Sequence, residues 1–163
     1  MLIRKAVEKD IAATLEIYNH EVENGVATLD LHPKTYDEWR QWYSAHNVGN
    51  HPLIVAETDG EVAGYASLSG YREKEAFAST VELSVYVSPE HRGKGVATRL
   101  MEHIITLAEQ DADTHVIVSV ITSGNKVSER LHERFGFRHC GTIHEVGFKH
   151  GQYRDIDNYE LIV

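Results

Sequence analysis

The stretch SPEHRGKGVATRLMEHIITLAEQ, residues 88–110, decides how the chain is read. It begins as a polar turn, Arg92-Gly93-Lys94-Gly95, and runs into apolar residues at Val96, Ala97, Leu100, Ile104, Ile105, Leu107 and Ala108. That spacing predicts an amphipathic helix over 96–108. A helix start leaves four backbone N–H groups without intrahelical partners and carries a partial positive charge. Glycines let the backbone press close to anionic oxygens, and Arg92 and Lys94 add full charges. The turn is therefore suited to a diphosphate.

Three phosphate-binding patterns compete for this turn. A P-loop needs Ser or Thr directly after Gly-Lys, and Gly95 stands there instead. A dinucleotide fingerprint needs Gly or Ala at its sixth place, where this chain has Thr98. The third pattern, Arg-x-x-Gly-x-Ala, is matched by Arg92, Gly95 and Ala97.

Outward from the turn, the rest of the chain alternates strands and helices. Ile3–Ala6 reads as a short strand. Ile11, Leu15, Ile17, Tyr18 and Val22 recur at helical spacing, and residues 24–34 read as a loop. Thr35 and Glu38 form a capping box ahead of a helix carrying Trp39, Trp42 and Tyr43. Two apolar runs, 53–58 and 61–68, flank Asp59-Gly60, a strong hairpin signal. Residues 69–78 read as a polar loop, Val81–Val87 as a strand, and His115–Ile121 as a buried strand. Asn125–Phe135 reads as a helix closed by Gly136, followed by strands at about 137–149 and 153–162. Without repeat, linker or low-complexity tract, the order predicts one α/β (α+β) domain over 1–163, with a central mixed, mostly antiparallel sheet flanked by helices.

The bulk numbers narrow the partners. With 163 residues and 42% hydrophobic residues, the chain is long enough for one core. No apolar run is long enough to cross a bilayer, and charges interrupt the opening MLIRKAVEKD, unlike a signal peptide. A lone Cys140 fits a reducing cytoplasm. A formal charge of −9 disfavours nucleic acid, so phosphate binding is expected to be local. His139, Cys140, His144 and His150 match no zinc spacing, and no metal is expected. The Trp39, Trp42 and Tyr43 cluster reads most simply as a core-facing helix stripe, with a substrate-lining role as the alternative.

The Arg92–Ala97 pattern behind strand 81–87 resembles the coenzyme A pyrophosphate turn of the GCN5-related N-acetyltransferases. A second motif, Asn125-x-x-Ser128-x-x-Leu131-His132-x-x-x-Gly136-Phe137, resembles that superfamily's downstream helix. The likeness narrows to the phosphinothricin and methionine sulfoximine acetyltransferases. It runs through Thr80–Val87, Arg130–Glu133, Val146–Gly151, Ala27-Thr28-Leu29, Pro33-x-Thr35 and Glu38-Trp39. The chain departs from that group at Leu29, at Arg72-Glu73-Lys74-Glu75 and at Tyr153, positions that bear on the acceptor.

The resemblance implies a GNAT fold and acetyl transfer from acetyl-CoA, as cosubstrate, to a small amino-acid-like amine, in a cytoplasmic homodimer. It implies a pantetheine arm lying against Val85, Tyr86 and Val87 like an added strand. It assigns the pyrophosphate to Arg92, Gly93, Lys94, Gly95, Val96, Ala97 and Thr98, and gives Asn125 and Ser128 to the cofactor arm. A backbone N–H near Val85 would polarise the thioester carbonyl.

Proton transfer needs a base for the acceptor ammonium and an acid for the leaving thiolate. Glu82 is the candidate base, because a carboxylate among apolar neighbours gains basicity. His132 stands where the superfamily often has Tyr; with an ordinary pKa of ~6.5 it is the candidate acid, with water as the alternative. Tyr71, Arg72, Glu73 and Lys74 form the candidate acceptor loop, Arg72 being suited to a carboxylate. Two other readings stay open at this stage: the same fold acting on a polyamine or a peptide N-terminus, and a non-catalytic acyl-CoA sensor with no need of Glu82.

Overall fold

The computed structural model describes residues 1–163. Its regular elements are Leu2–Lys5 (β1), Ile11–Asn24 (α1), Tyr36–Ser44 (α2), Leu53–Thr58 (β2), Glu61–Gly70 (β3), Thr80–Val87 (β4), Val96–Gln110 (α3), Val116–Thr122 (β5), Lys126–Arg134 (α4), Arg138–Lys149 (β6) and Gln152–Ile162 (β7). All seven strands join one sheet in the order β1-β2-β3-β4-β5-β7-β6. Every neighbouring pair is antiparallel except β4 with β5.

Local chemistry accounts for the element ends. Asp59 and Gly60 have φ of 53° and 81°, the pair of positive values that a two-residue type I′ hairpin demands. Thr35 accepts from the Glu38 amide at 3.2 Å, and Glu38 returns a carboxylate to the Thr35 amide at 2.8 Å, the reciprocal cap of α2. Asn125 caps α4 rather than beginning it, accepting from the Ser128 amide at 3.2 Å. β3 extends to Gly70, two residues into the segment expected as loop, because Ser69 and Gly70 keep their ladder partners Glu82 and Val81. Polarity of the side chains hid that continuation; backbone pairing decides it.

The sheet is covered on both faces over its first half. One face packs against α3 around Val81, Leu83, Leu100, Met101, Ile104 and Ile117. The other packs against α1 and α2 around Ile11, Val22, Trp39, Val55 and Tyr65. Side chains alternate along β4 accordingly. Val81, Leu83, Val85 and Val87 join the α3 side. Tyr86 joins the α1–α2 side, and the strand period puts Glu82 and Ser84 there with it.

The feature that positions the site lies in the middle of the sheet. β4 and β5 pair only through Thr80–Glu82 and Val116–Val118. Beyond Glu82 the parallel strands part, so Leu83–Val87 keep β3 on one side and have no strand on the other. Backbone groups on that edge need other partners.

Candidate active site

The parted strands open a groove of about 830 Å³. Its walls are β4 from Leu83 to Val87, β5 from Ser119 to Thr122, the turn Arg92–Thr98 and the inner side of α4. The α3 start carries the features expected of an anion site. Gly93 and Gly95 have φ of 72° and 80°, a backbone that other residues adopt at a cost of roughly 1–2 kcal/mol. Gly95 is the N-cap of α3, and no side chain caps the helix, so the first amides face the groove unpaired. Of the residues expected to hold a cofactor, Val85, Tyr86, Val87, Arg92, Gly93, Gly95, Val96, Ala97, Thr98, Asn125 and Ser128 line this one groove. Lys94 stands exposed on the same turn without lining it.

Arg92 does not hang free. Its guanidinium meets Glu21 of α1 at 3.2 Å and the Val87 carbonyl at 3.4 Å. Glu21 also accepts from the Ala27 amide at 3.0 Å, which ties the loop after α1 to the mouth of the groove. Thr122 of β5 donates to the Val26 carbonyl at 2.5 Å and fixes the same loop from the far side.

Glu82 sits at the last paired position of β4, where the strands begin to part. It is half-buried, and burial pushes its pKa above the usual glutamate value. Its direct partner across the ladder is Ser69.

His132 is buried on the inner side of α4, with Nδ1 2.7 Å from the Ser128 carbonyl and Nε2 2.8 Å from the Ser119 hydroxyl. A carbonyl only accepts, so Nδ1 carries the proton and Nε2 takes one from Ser119. Burial lowers the pKa of this imidazole, with the Ser128 carbonyl opposing in part.

Tyr71, Arg72, Glu73 and Lys74 lie at the Glu82 end of the sheet, between β3 and β4, and line neither this groove nor the cavity beside it. Arg72 is laid over Tyr71 and Phe77, its carbon centre 5.0 and 5.6 Å from the two rings.

The neighbouring cavity, about 330 Å³, brings in Tyr18, Asp30, Lys34, Tyr65 and Ser84, to which the reading of the sequence assigns no site role. Tyr18, Trp39, Trp42, Tyr65 and Tyr86 form its aromatic walls, with Asp30, Lys34 and Glu38 beside them and Ser84 in the wall nearest the groove. Trp39 is buried as expected of a core stripe, yet it stacks on both Trp42 and Tyr18 at the cavity wall. The signal was present in the period of β4: Ser84 and Tyr86 follow Glu82 at intervals of two and share its face. Glu21 left no comparable signal, since its partner Arg92 is 71 residues away.

Tyr65 is fully buried, and its hydroxyl finds no hydrogen-bond partner in the protein. Ser84 and Tyr86 line both cavities, so groove and aromatic pocket meet at the unpaired half of β4.

Comparison with known proteins agrees with this geometry. The family model for the acetyltransferase (GNAT) family matches residues 12–137. A phosphinothricin N-acetyltransferase of Streptomyces coelicolor is 41% identical over 162 residues, spanning 97% of this chain and 94% of that protein. An L-methionine sulfoximine/L-methionine sulfone acetyltransferase of Salmonella typhimurium is 38% identical, spanning 99% of this chain and 94% of that protein. Among solved structures, a GNAT superfamily phosphinothricin acetyltransferase of Sinorhizobium meliloti in complex with acetyl-CoA superposes with a TM-score of 0.94. It is 32% identical, with 99% of this chain and 88% of that chain covered.

Proposed function

The chain belongs to the GNAT acetyltransferase family, and on that premise we propose that it transfers the acetyl group of acetyl-CoA to the amine of a small amino-acid-like acceptor, with Glu82 as general base. The observation that carries the proposal is the meeting of the two cavities at Ser84 and Tyr86, where β4 has lost its β5 partner. One cavity suits a long phosphorylated chain and the other a small molecule.

The residues present fit acetyl-CoA. The uncapped start of α3, opened by Gly93 and Gly95 and flanked by Arg92, offers amides and charge to a diphosphate. The free edge of Leu83–Val87 offers backbone groups to an extended amide-bearing arm. When bound there, acetyl-CoA supplies an activated acetyl group as a thioester.

The protein's own part is to hold, orient and deprotonate. The aromatic pocket excludes water from the acceptor side chain. Beside it Asp30 and Lys34, 3.7 Å apart and both part-exposed, present one charge of each sign, as a zwitterionic amino acid requires. The Tyr65 hydroxyl gives a polar acceptor group the partner that the protein itself does not supply. Glu82, its basicity raised by burial, takes the proton that keeps the acceptor nitrogen from attacking. Of the two acids open from sequence, the geometry favours water. His132 is held neutral by burial and has both nitrogens engaged, so it orders Ser119 and α4. The loop Tyr71–Lys74 lies beyond both cavities at the Glu82 end of the sheet, and Arg72 reaches an acceptor carboxylate only by leaving its stack on Tyr71 and Phe77.

Our reading has the protein act as a homodimer in the cytoplasm, its outer hairpin β6–β7 pairing with a second copy. Ile143, Val146, Phe148 and Tyr153 are all large and exposed on that hairpin.

The test is release of free thiol from acetyl-CoA against methionine sulfoximine, methionine sulfone, phosphinothricin and spermidine. Turnover with one of the three amino acids and none with spermidine supports the proposal. Turnover with spermidine alone refutes the acceptor class, and no thiol release with acetyl-CoA bound favours a sensor.

A further inference from the structure

Lys149 ends β6 and is 2% exposed, the most deeply buried charged residue of the protein. It lines neither cavity, and the acetyl transfer so far described makes no use of it. A lysine is almost never buried whole unless a partner offsets its desolvation. Here Nζ donates to the carbonyl of Thr28 at 2.8 Å, across 121 positions of sequence. Desolvation lowers the pKa of Lys149; the charges of Glu21 and Asp30 oppose this, and Arg154 adds to it.

Two neighbours of Lys149 hold the same loop. His150 places Nε2 3.2 Å from the Gly25 carbonyl, and because a carbonyl only accepts, that nitrogen carries the proton. Leu29 packs directly on Gly147, where a Cβ would stand 2.7 Å from Leu29 Cδ1. The end of β6 and its turn therefore grip residues 25–29 at Gly147, Lys149 and His150.

Thr28 carries that grip to the aromatic pocket. Its hydroxyl accepts from the Asp30 amide at 3.2 Å and lies 3.0 Å from the Tyr18 hydroxyl. Tyr18 donates to the Asp30 carboxylate. That uses the single Tyr18 proton, so Thr28 is the donor to Tyr18. The bonds close a ring: Asp30 amide to Thr28, Thr28 to Tyr18, Tyr18 to the Asp30 carboxylate. Tyr18 is fixed further by its stack on Trp39, centroids 4.7 Å apart, and its edge contact with Tyr86 at 5.4 Å. Tyr18 and Asp30 both line the aromatic pocket. On the groove side the same loop is held without Lys149, by Glu21 at the Ala27 amide and by Thr122 at the Val26 carbonyl.

We propose that Lys149 is a positioning residue for the acceptor: by fixing Thr28 it holds the Tyr18–Thr28–Asp30 ring in the shape that meets the incoming amine. The inference rests on the acetyl-transfer reading and deepens it, naming what sets acceptor affinity from outside the pocket. Because the groove side of the loop has its own anchors, loss of Lys149 falls on the acceptor and spares acetyl-CoA.

The test compares wild type with Lys149→Met, which keeps most of the side chain and removes its donors. Gly147→Ala is the second variant; it pushes Leu29 away from β6 and disturbs the same loop with Lys149 intact. One readout is the amide resonance of Asp30 in the labelled protein, which reports its bond to Thr28 before any substrate is added. The other is KM for whichever of methionine sulfoximine, methionine sulfone and phosphinothricin the wild type acetylates, set beside the calorimetric Kd of acetyl-CoA. Lys149→Met moves the Asp30 amide and raises the acceptor KM by about tenfold, the worth of one hydrogen bond from a charged donor. The Kd of acetyl-CoA stays at the wild-type value. Gly147→Ala acts in the same direction by less and keeps the proposal testable where Lys149→Met folds poorly. In a Thr28→Val background, where the ring is already open, Lys149→Met raises the acceptor KM no further. An unmoved Asp30 amide, an unmoved acceptor KM, or an equal loss of affinity for both substrates overturns the inference and leaves acetyl transfer standing. A wild type that acetylates none of the three amino acids overturns the acceptor reading itself, and the role of Lys149 with it.

Discussion

Arg92 and Glu21 face each other at 3.2 Å across the mouth of the groove, 71 residues apart in the chain. A phosphate arriving at α3 therefore takes Arg92 from a carboxylate rather than from water. The pair is partly exposed, so its own strength is at most about 1 kcal/mol. Glu21→Gln keeps an acceptor for the Ala27 amide but removes the competing charge. It lowers KM for acetyl-CoA by up to about fivefold. Arg92→Ala raises that KM by about tenfold with kcat nearly unchanged, the loss expected of one charge-assisted phosphate contact. Steady-state kinetics at two salt concentrations check both, and the salt dependence of KM flattens in Arg92→Ala.

Glu82→Gln lowers kcat by 10²-fold or more, the usual worth of a positioned general base at about 10²–10⁴. Binding of acetyl-CoA, measured by calorimetry, stays at the wild-type value. The pH dependence follows from the raised pKa of Glu82. The basic form is present above that value and is lost as pH falls through it. Activity therefore declines on the acid side at a pH above that at which an ordinary glutamate titrates.

Tyr65→Phe separates stability from acceptor binding. The buried hydroxyl has no partner in the free protein, and an unmet buried polar group costs about 1–3 kcal/mol. Its removal leaves thermal stability unchanged or raised by about 1 kcal/mol, while KM for the acceptor rises and KM for acetyl-CoA does not. A drop in stability would place Tyr65 in the core alone.

Asp10 supports the N-terminal edge of the sheet. It is 3% exposed and accepts from Nη1 and Nη2 of Arg4, at 2.7 and 2.9 Å, and from the Val7 amide at 2.8 Å. Burial alone would raise its pKa, but Arg4 and the Val7 amide outweigh it and the net shift is downward. The stabilisation is therefore full above the unfolded aspartate value and is lost as pH falls through the lower folded one. Arg4→Ala leaves a buried carboxylate unpaired and costs about 3 kcal/mol or more in urea denaturation at pH 7.

Much of this was legible in the chain. Asp59-Gly60 fixed a hairpin, Thr35 with Glu38 fixed a helix start, and Arg92-x-x-Gly95-x-Ala97 marked the turn that opens α3 on the groove, because each is a local pattern. What stayed hidden depends on distant segments meeting. The parting of β4 and β5 after Glu82 has no composition signature. Neither do the Arg92–Glu21 pair or the Lys149–Thr28 contact, which join residues 71 and 121 positions apart. The aromatic pocket was half visible: Trp39 and Trp42 read as core because helical spacing cannot distinguish a packed wall from a lined cavity.

The most direct test of the account is amide chemical-shift mapping of the labelled protein on titration with coenzyme A. The account predicts the largest changes at Val96, Ala97 and Thr98, where α3 starts, and along Val85–Val87 on the open edge of β4. Changes confined to another surface, or none at saturating ligand, would contradict it.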